Sequence, residues 1–197
     1  HAHNDKLSFE LMIDGVDVII DPGTFVYTRD PQARNEFRSI RNHNTVMIDK
    51  REQKSFHSSN LFLLPDTVYA QAITWKSGEK EDYFCGEHRG YENLADPVTH
   101  RRSFLFSKND GVLTITDFFS GRGAHEGEWN FIFAPSIDPR TAFDSNLLLF
   151  SASEAEYSPA YGIRLLTSRL SAIHSFACPF DVKISISTNQ HSVLEFS

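Results

Sequence analysis

Four side chains near the start of this sequence have the types and spacing for metal or proton chemistry. His1 and His3 stand two apart in His1-Ala2-His3-Asn4-Asp5, Asp21 opens Asp21-Pro22-Gly23-Thr24, and His43 opens His43-Asn44-Thr45. Neutral imidazoles with one carboxylate form a nitrogen/oxygen donor set that zinc accepts. Residues two apart on a strand point the same way, so the His-x-His pair would offer both rings to one side. The same residues also serve as ordinary polar groups at strand ends, and spacing alone leaves both readings standing.

The elements that must position these groups read as strands. Leu7, Phe9, Leu11 and Ile13 alternate with Ser8, Glu10 and Met12, Asp14-Gly15 is a hairpin dipeptide, and Val16, Val18 and Ile20 resume the alternation. Carried backwards, the odd-numbered face runs through Asp5, His3 and His1, which would place the candidate ligands on the buried row. Asp21-Pro22-Gly23 ends the hairpin in a turn. Residues 28–42 are polar and Arg-rich without a strand period, and read as a loop with a short helical turn near 31–36. Further strands are expected over 45–49, 61–64, 68–75, 99–106, 112–119, 129–133, 147–151, 163–166, 172–176 and 182–187, with Asn109-Asp110-Gly111 turning between two of them. Many short strands with regular punctuation and no long helical stripe predict an all-β antiparallel sandwich, with residues 1–197 as one domain.

The 197 residues carry a net charge of −7, with 40% hydrophobic and 23% charged positions, the balance of an ordinary globular chain. No apolar run approaches the roughly 20 residues of a membrane span. The acidic balance argues against nucleic acid as a partner, while a local Arg/His cluster would still accept an acidic sugar. Aromatic residues make up 13%, including 17 Phe, which suits sheet cores first and sugar-stacking surfaces second. Cys85 and Cys178 are the two cysteines, and either a disulfide or two free thiols is compatible with them. A metal-type motif at residue 1, without an initiator Met or a signal-peptide pattern, leads us to expect the C-terminal part of a longer protein.

Motif order separates the metal-linked families. Metallo-β-lactamase-like hydrolases carry HxHxDH, but Lys6 stands where the last His belongs. Cupins are all-β and place a Glu four or five residues after HxH, whereas the first Glu here is Glu10. A third pattern fits. His1-Ala2-His3-Asn4-Asp5-Lys6-Leu7-Ser8-Phe9-Glu10-Leu11, Asp14-Gly15, Asp21-Pro22-Gly23-Thr24-Phe25-Val26-Tyr27, Phe37-Arg38-Ser39 and Asn42-His43-Asn44-Thr45-Val46 occur in that order. Weaker echoes are His88-Arg89-Gly90-Tyr91, His100-Arg101-Arg102, Asp117 through His125, and Tyr157-Ser158-Pro159-Ala160-Tyr161-Gly162. Together they resemble the C-terminal β-domain of the heparinase II/III-like polysaccharide lyases. Phe25 departs from the family's commoner Tyr, and the family's N-terminal helical toroid is not in this sequence.

The resemblance implies β-elimination at a 4-linked uronate of an anionic polysaccharide. It implies that His1 stands beside the uronate as the catalytic histidine, and that His3, Asp21 and His43 hold a structural Zn2+. Tyr27 and Arg38 would contact substrate, and a Tyr from the helical domain would exchange the proton. A bacterial periplasmic or secreted setting is implied as well. Arg34 and Arg41 are further candidates for substrate carboxylate or sulfate, or else solvated loop residues. Trp75 and Trp129 would stack on sugar or pack in the core. His88, His100, His125, His174 and His191 lack ligand spacing and read as structural or surface groups. Without its helical partner the chain should fold yet be nearly inactive, and an uncovered apolar face would favour a homo-oligomer. The rival functions are a non-catalytic glycan-binding or structural module and a cupin-like metal enzyme.

Overall fold

The computed structural model describes residues 2–56, 60–64, 69–139, 143–145 and 147–188. Strands dominate: β1 (Leu11–Ile13), β2 (Val16–Ile19), β3 (Val46–Ile48), β4 (Ala70–Ser77), β5 (Glu81–Tyr91), β6 (Val98–Ser107), β7 (Val112–Gly121), β8 (Ala124–Ile132), β9 (Phe143–Ser145), β10 (Ser151–Tyr157), β11 (Leu165–Ala177) and β12 (Phe180–Ser187). Two antiparallel sheets result, one ordered β10-β11-β8-β3 and the other β4-β5-β6-β7-β12-β9. The β1–β2 hairpin joins the smaller sheet at its rim: Ile19 bridges Phe133, and the Ile20 amide donates to the Ile132 carbonyl. The chain is thus sandwich-like and all-β, as the alternation predicts.

The core lies between the sheets. Strand β7 buries every second residue, and its Ile115 and Phe119 meet Ile184 and Ile186 of β12 and Trp129 and Phe131 of β8. Phe119 is the hub, 5.0 Å from the Phe176 ring, edge-on to Trp129 at 5.9 Å, and stacked on His100 at 4.8 Å.

One polar network runs through this apolar interior. Asp117 is fully buried and accepts Arg102 Nε and Nη2 in a bidentate pair, Trp129 Nε1, and His100 Nε2. Burial alone would raise the Asp117 pKa, but Arg102 and His100 outweigh it and hold the carboxylate well below its usual range. Burial keeps His88 and His100 neutral. Their contacts then assign one consistent set of tautomers: the Gly90 amide donates to His88 Nδ1, His88 Nε2 to His100 Nδ1, and His100 Nε2 to Asp117. These histidines are structural, as their spacing suggested, and Trp129 is a core residue.

Several expected elements take another form. From His3 to Leu7 the odd-numbered row does not form: β1 starts at Leu11, and Leu7 has φ of 61°, outside the strand region. Side chains hold this segment instead, with Asn4 bonded to Glu52 and to the Lys54 backbone. Residues 61–64 form a turn and coil, and 148–150 carry no strand. The two short strands expected over 163–166 and 172–176 are one 13-residue strand, β11. Strand β5 was hidden because its sequence, EDYFCGEHRGY, is largely polar yet buries Cys85 to His88 in succession without alternation. The short helix expected near 31–36 is present as α1 (Pro31–Phe37), capped by the Asp30 carboxylate on the Gln32 and Ala33 amides. Cys85 and Cys178 are free thiols.

A second histidine latches the β7–β8 turn to the end of β3. His125 Nδ1 lies 2.7 Å from Asp49 Oδ2 and its Nε2 lies 2.9 Å from the Arg122 carbonyl. Both partners are acceptors, so the ring must carry two protons. Burial opposes the charge, but Asp49 and the Arg122 carbonyl prevail and raise the pKa. A raised folded-state pKa stabilises most fully below the unfolded value of about 6.5 and fades as pH rises through the folded value. His125→Gln should therefore remove part of the stability lost by the chain as pH rises from about 6.5. Urea midpoints of both proteins against pH would show parallel curves if the latch were uncharged.

Candidate metal centre

Three chain segments that are distant in sequence bring His3, Asp21 and His43 together. Asp21 follows β2, in a turn where the Gly23 amide donates to its Oδ1 at 2.8 Å. His43 closes a single 3-10 turn (Ile40–Asn42) just before β3. His3 sits in the N-terminal segment, where the Asn4 amide donates to the Arg38 carbonyl. Asn44 organises all three. Its fully buried side-chain amide donates to the Phe9 and Ile20 carbonyls, its Oδ1 accepts the Ile132 amide, and its backbone amide donates to Ser8 Oγ. Ile20 precedes Asp21 and Asn44 follows His43, so one side chain sets the separation of two candidate ligands.

The three donor atoms lie within 4.8 Å of one another, the cluster of this kind among the described residues. The His3 and His43 ring centroids are 5.1 Å apart. Burial, reinforced by His43 and Arg34, lowers the His3 pKa to about 3, so its ring is neutral. Burial acts to raise Asp21, but contacts with His43 and the Gly23 amide prevail and keep it ionised. His43 Nδ1 is 3.2 Å from Asp21 Oδ2, yet the contact lies off the ring N–H direction. Both nitrogens of this fully buried ring therefore lack a hydrogen-bond partner. An orphaned imidazole beside a carboxylate and the neutral His3 ring fits a divalent cation of zinc's preferences. One contact opposes loading: Arg34 Nη1 lies 2.8 Å from His3 Nε2, so a metal using that nitrogen has to displace the guanidinium.

The other expected site residues divide. His1 lies outside the described residues. Tyr27 is half-buried, its ring 5.6 Å from the Arg34 guanidinium that reaches His3, stacked on Tyr161 at 5.6 Å and near Phe62 at 5.7 Å. Arg38 is fully buried, donating Nε to Asn35 and Nη1 to the Leu61 carbonyl, with Nη2 unpaired. Arg41 is apart from these, at the surface near Glu128 at 3.3 Å. Trp75 is exposed at the rim of an apolar groove with Phe84 and Phe104, well removed in the fold on β4. Sequence reasoning passed over Asn44 and the contact of Arg34 with His3. The spacing of Arg34 and Arg38 by four, on a segment opened by Asp30-Pro31, was the available signal for a buried helical pair.

A β-sandwich carrying a buried His/Asp/His centre at its hairpin rim is the class that fold and site define. The chain belongs to the heparinase II/III-like family, whose C-terminal domain model matches residues 1–194. A heparin-sulfate lyase from Pedobacter heparinus is 30% identical over 118 residues, 58% of this chain and 16% of that protein. In the crystal structure of a heparan sulfate lyase HepC mutant from Pedobacter heparinus, 31% of the chain superimposes on 95% of this one with TM-score 0.75 and 20% identity. The heparinase III BT4657 gene product matches 94% of this chain with 30% of its own, at TM-score 0.74 and 19% identity. This chain thus spans under a third of the length of each of these relatives.

Gly23 tests how the turn holds Asp21. Its φ is +79°, and a Cβ there would lie 2.2 Å from the Ser158 carbonyl oxygen, where the 157–162 loop docks through its Ser158 amide on the Pro22 carbonyl. Gly23→Ala should cost about 1–3 kcal/mol in urea unfolding and weaken divalent-metal binding, because strain here moves the Asp21 carboxylate. Unchanged stability and metal affinity would mean the turn relaxes freely.

Proposed function

We propose that this chain is the β-domain of a polysaccharide lyase that cleaves a 4-linked uronate glycan by β-elimination. The observation that carries this reading is the assembly of His3, Asp21 and His43, beside Tyr27 and Arg38, from the segments that match the family. The reaction needs three acts. The uronate carboxylate is neutralised so that the C5 proton becomes acidic, a base removes that proton, and an acid protonates the departing O4. Arg38 offers a guanidinium for the carboxylate side of the substrate, and the Tyr27 hydroxyl a donor for a sugar oxygen. His1 is the proton-handling or charge-neutralising group supplied by this domain. A helical domain of the same protein supplies the Tyr that completes proton transfer.

Zn2+ bound by His3, Asp21 and His43 would act structurally, tying the turn after β2 to the segment before β3. The chain's own contribution is orientation, with Asn44 fixing the distance between the two ligand segments. The relatives named as heparin or heparan sulfate lyases make heparan sulfate the first glycan to test. A bacterial periplasmic or secreted location belongs to the same reading.

Two measurements test it. Full-length protein with heparan sulfate should generate product absorbing in the ultraviolet through its new C4–C5 double bond, and this 197-residue chain alone should generate almost none. Absence of unsaturated product from full-length protein across uronate glycans would overturn the lyase reading. Paired variants then separate the histidines. His3→Ala should lower zinc content, melting temperature and turnover together. His1→Ala should lower turnover with zinc content and melting temperature nearly unchanged, since a group that acts in the transition state need not hold the fold. Loss of zinc from both variants alike would show that His1 is a ligand.

A further inference from the structure

The buried arginines of this molecule are paired very unequally. Arg102 is fully buried, and its Nε/Nη2 edge grips both oxygens of Asp117 at 2.7 and 2.9 Å while Nη1 holds backbone carbonyls. This is the side-on fork geometry that suits guanidinium to carboxylate. Arg34 is equally buried and uses Nη1 in the same way, on His3 Nε2. Its Nε and Nη2, the edge that Arg102 fills with a carboxylate, have no hydrogen-bond partner at all. Arg38, one helical turn on, adds a second buried guanidinium whose Nη2 is also unpaired. Among the described residues neither forms a salt bridge; Arg38 acts against the charge on Arg34, while the nearby Glu52 offsets part of the burial cost of Arg38.

A buried charge without a partner is among the costliest features a fold can hold. The structure carries two incompletely paired ones, Arg34 in α1 and Arg38 at its C-cap, and Arg34 touches the candidate metal ligand His3. Such a cost persists where a ligand supplies the missing half. The surroundings show where the ligand would enter. The Arg34 guanidinium lies 5.6 Å from the centre of the Tyr27 ring, and Tyr27 in turn stacks on Tyr161, which is 61% exposed. On that side the Tyr27 ring lies over Arg34, and rotation of Tyr27 and Tyr161 would open a path toward it. The same rings offer the flat apolar faces on which a sugar packs.

We propose that the Nε/Nη2 edge of Arg34 is the receptor for an oxyanion of the glycan, a uronate carboxylate or a sulfate ester, with Tyr27 and Tyr161 as its gate and stacking surface. The inference rests on the anionic-glycan part of the proposed function and adds to it the group that is recognised and the residue that does so. It also gives the His3 contact a consequence. The guanidinium that receives the anion is the one resting on a candidate metal ligand, so anion and metal compete for the position of Arg34 or share it.

The test uses this 197-residue chain in chelator, so that no metal-bound anion contributes. Melting temperature is read with sodium glucuronate, with sodium sulfate, and with sodium chloride at matched ionic strength. Glucuronate or sulfate should raise Tm over the chloride control, by about 3–6 °C at ten times Kd. A response to glucuronate alone assigns the edge to a carboxylate, and a response to sulfate alone to a sulfate ester. Arg34→Met should abolish the shift while leaving the unliganded Tm unchanged or higher, because it removes an unpaired buried charge. Arg34→Lys keeps the charge but not the fork and should retain only a fraction of the shift. Should Arg34→Met fail to fold, the Arg34 Nε–H resonance of the wild type serves instead, and it should move on titration with the responding anion. Equal shifts in wild type and Arg34→Met, no shift with either anion, or an unmoved Arg34 resonance would overturn the proposal. An Arg34-dependent shift without any lyase product from the full-length protein would sink the lyase reading and leave the anion site standing.

Discussion

The buried pairing of Arg102 with Asp117 is the constraint on which the rest depends. Asp117 belongs to β7 of the larger sheet, and its oxygens also take Trp129 of β8 in the smaller sheet. Arg102 extends from the same carboxylate to the Asn44 and Leu7 carbonyls. One ion pair therefore links both sheets to the two segments that carry His43 and His3. Pairing it fully is what makes it tolerable: a half-satisfied network at zero exposure would cost more than an apolar core. The neutral histidine relay from Gly90 through His88 and His100 supplies one of the donors Asp117 needs without adding a charge.

Set against that completeness, the ligand region is under-satisfied in a concentrated way. His43 lacks partners on both nitrogens, Arg34 on two and Arg38 on one, while the remaining unpaired buried side-chain atoms among the described residues are Asn130 Oδ1 and Arg169 Nε. A fold able to saturate Asp117 with four donors is not short of means. The deficit lies where the sequence places its metal-type residues, and unsatisfied groups that gather at one site are what binding there would resolve.

Much of this was legible in the sequence because strand periodicity and turn dipeptides are local signals. Alternation located β2, β6, β7 and β12, and a short helical turn was expected near 31–36, where α1 stands. The ligand trio could be named because its residue types are distinctive and its motifs stand in family order. What stayed hidden was decided by tertiary contact. Strand β5 is buried on both faces, so its polar residues gave no period. The N-terminal segment reads as a continuing strand, but the positive φ of Leu7 and the side-chain clamps of Asn4 bend it away, a choice made by Glu52 and Lys54 some fifty residues on. Arg34 could pass for a solvated loop residue, and the burial of both Arg34 and Arg38 stays hidden, because nothing nearby in sequence says that Phe56, Leu61 and Tyr27 will pack on them.

The charge balance of the centre makes the final connection between fold and ligand. The chain as a whole is acidic at −7, yet here two buried guanidiniums, Arg34 and Arg38, stand with only Asp21 and Glu52 against them, the His3 ring is neutral, and both His43 nitrogens are unpaired. A divalent cation there would make the cluster net positive. Local positive potential in a low-dielectric site on an acidic body attracts an anion to that place rather than to the surface at large. It also explains why the site can be built from buried arginines at all. The paired edge of Arg102 shows that this fold supplies an internal carboxylate where structure requires one, so the bare edge of Arg34, beside the ligand histidine and beneath two tyrosine rings, is a position where the carboxylate or sulfate is left to the ligand.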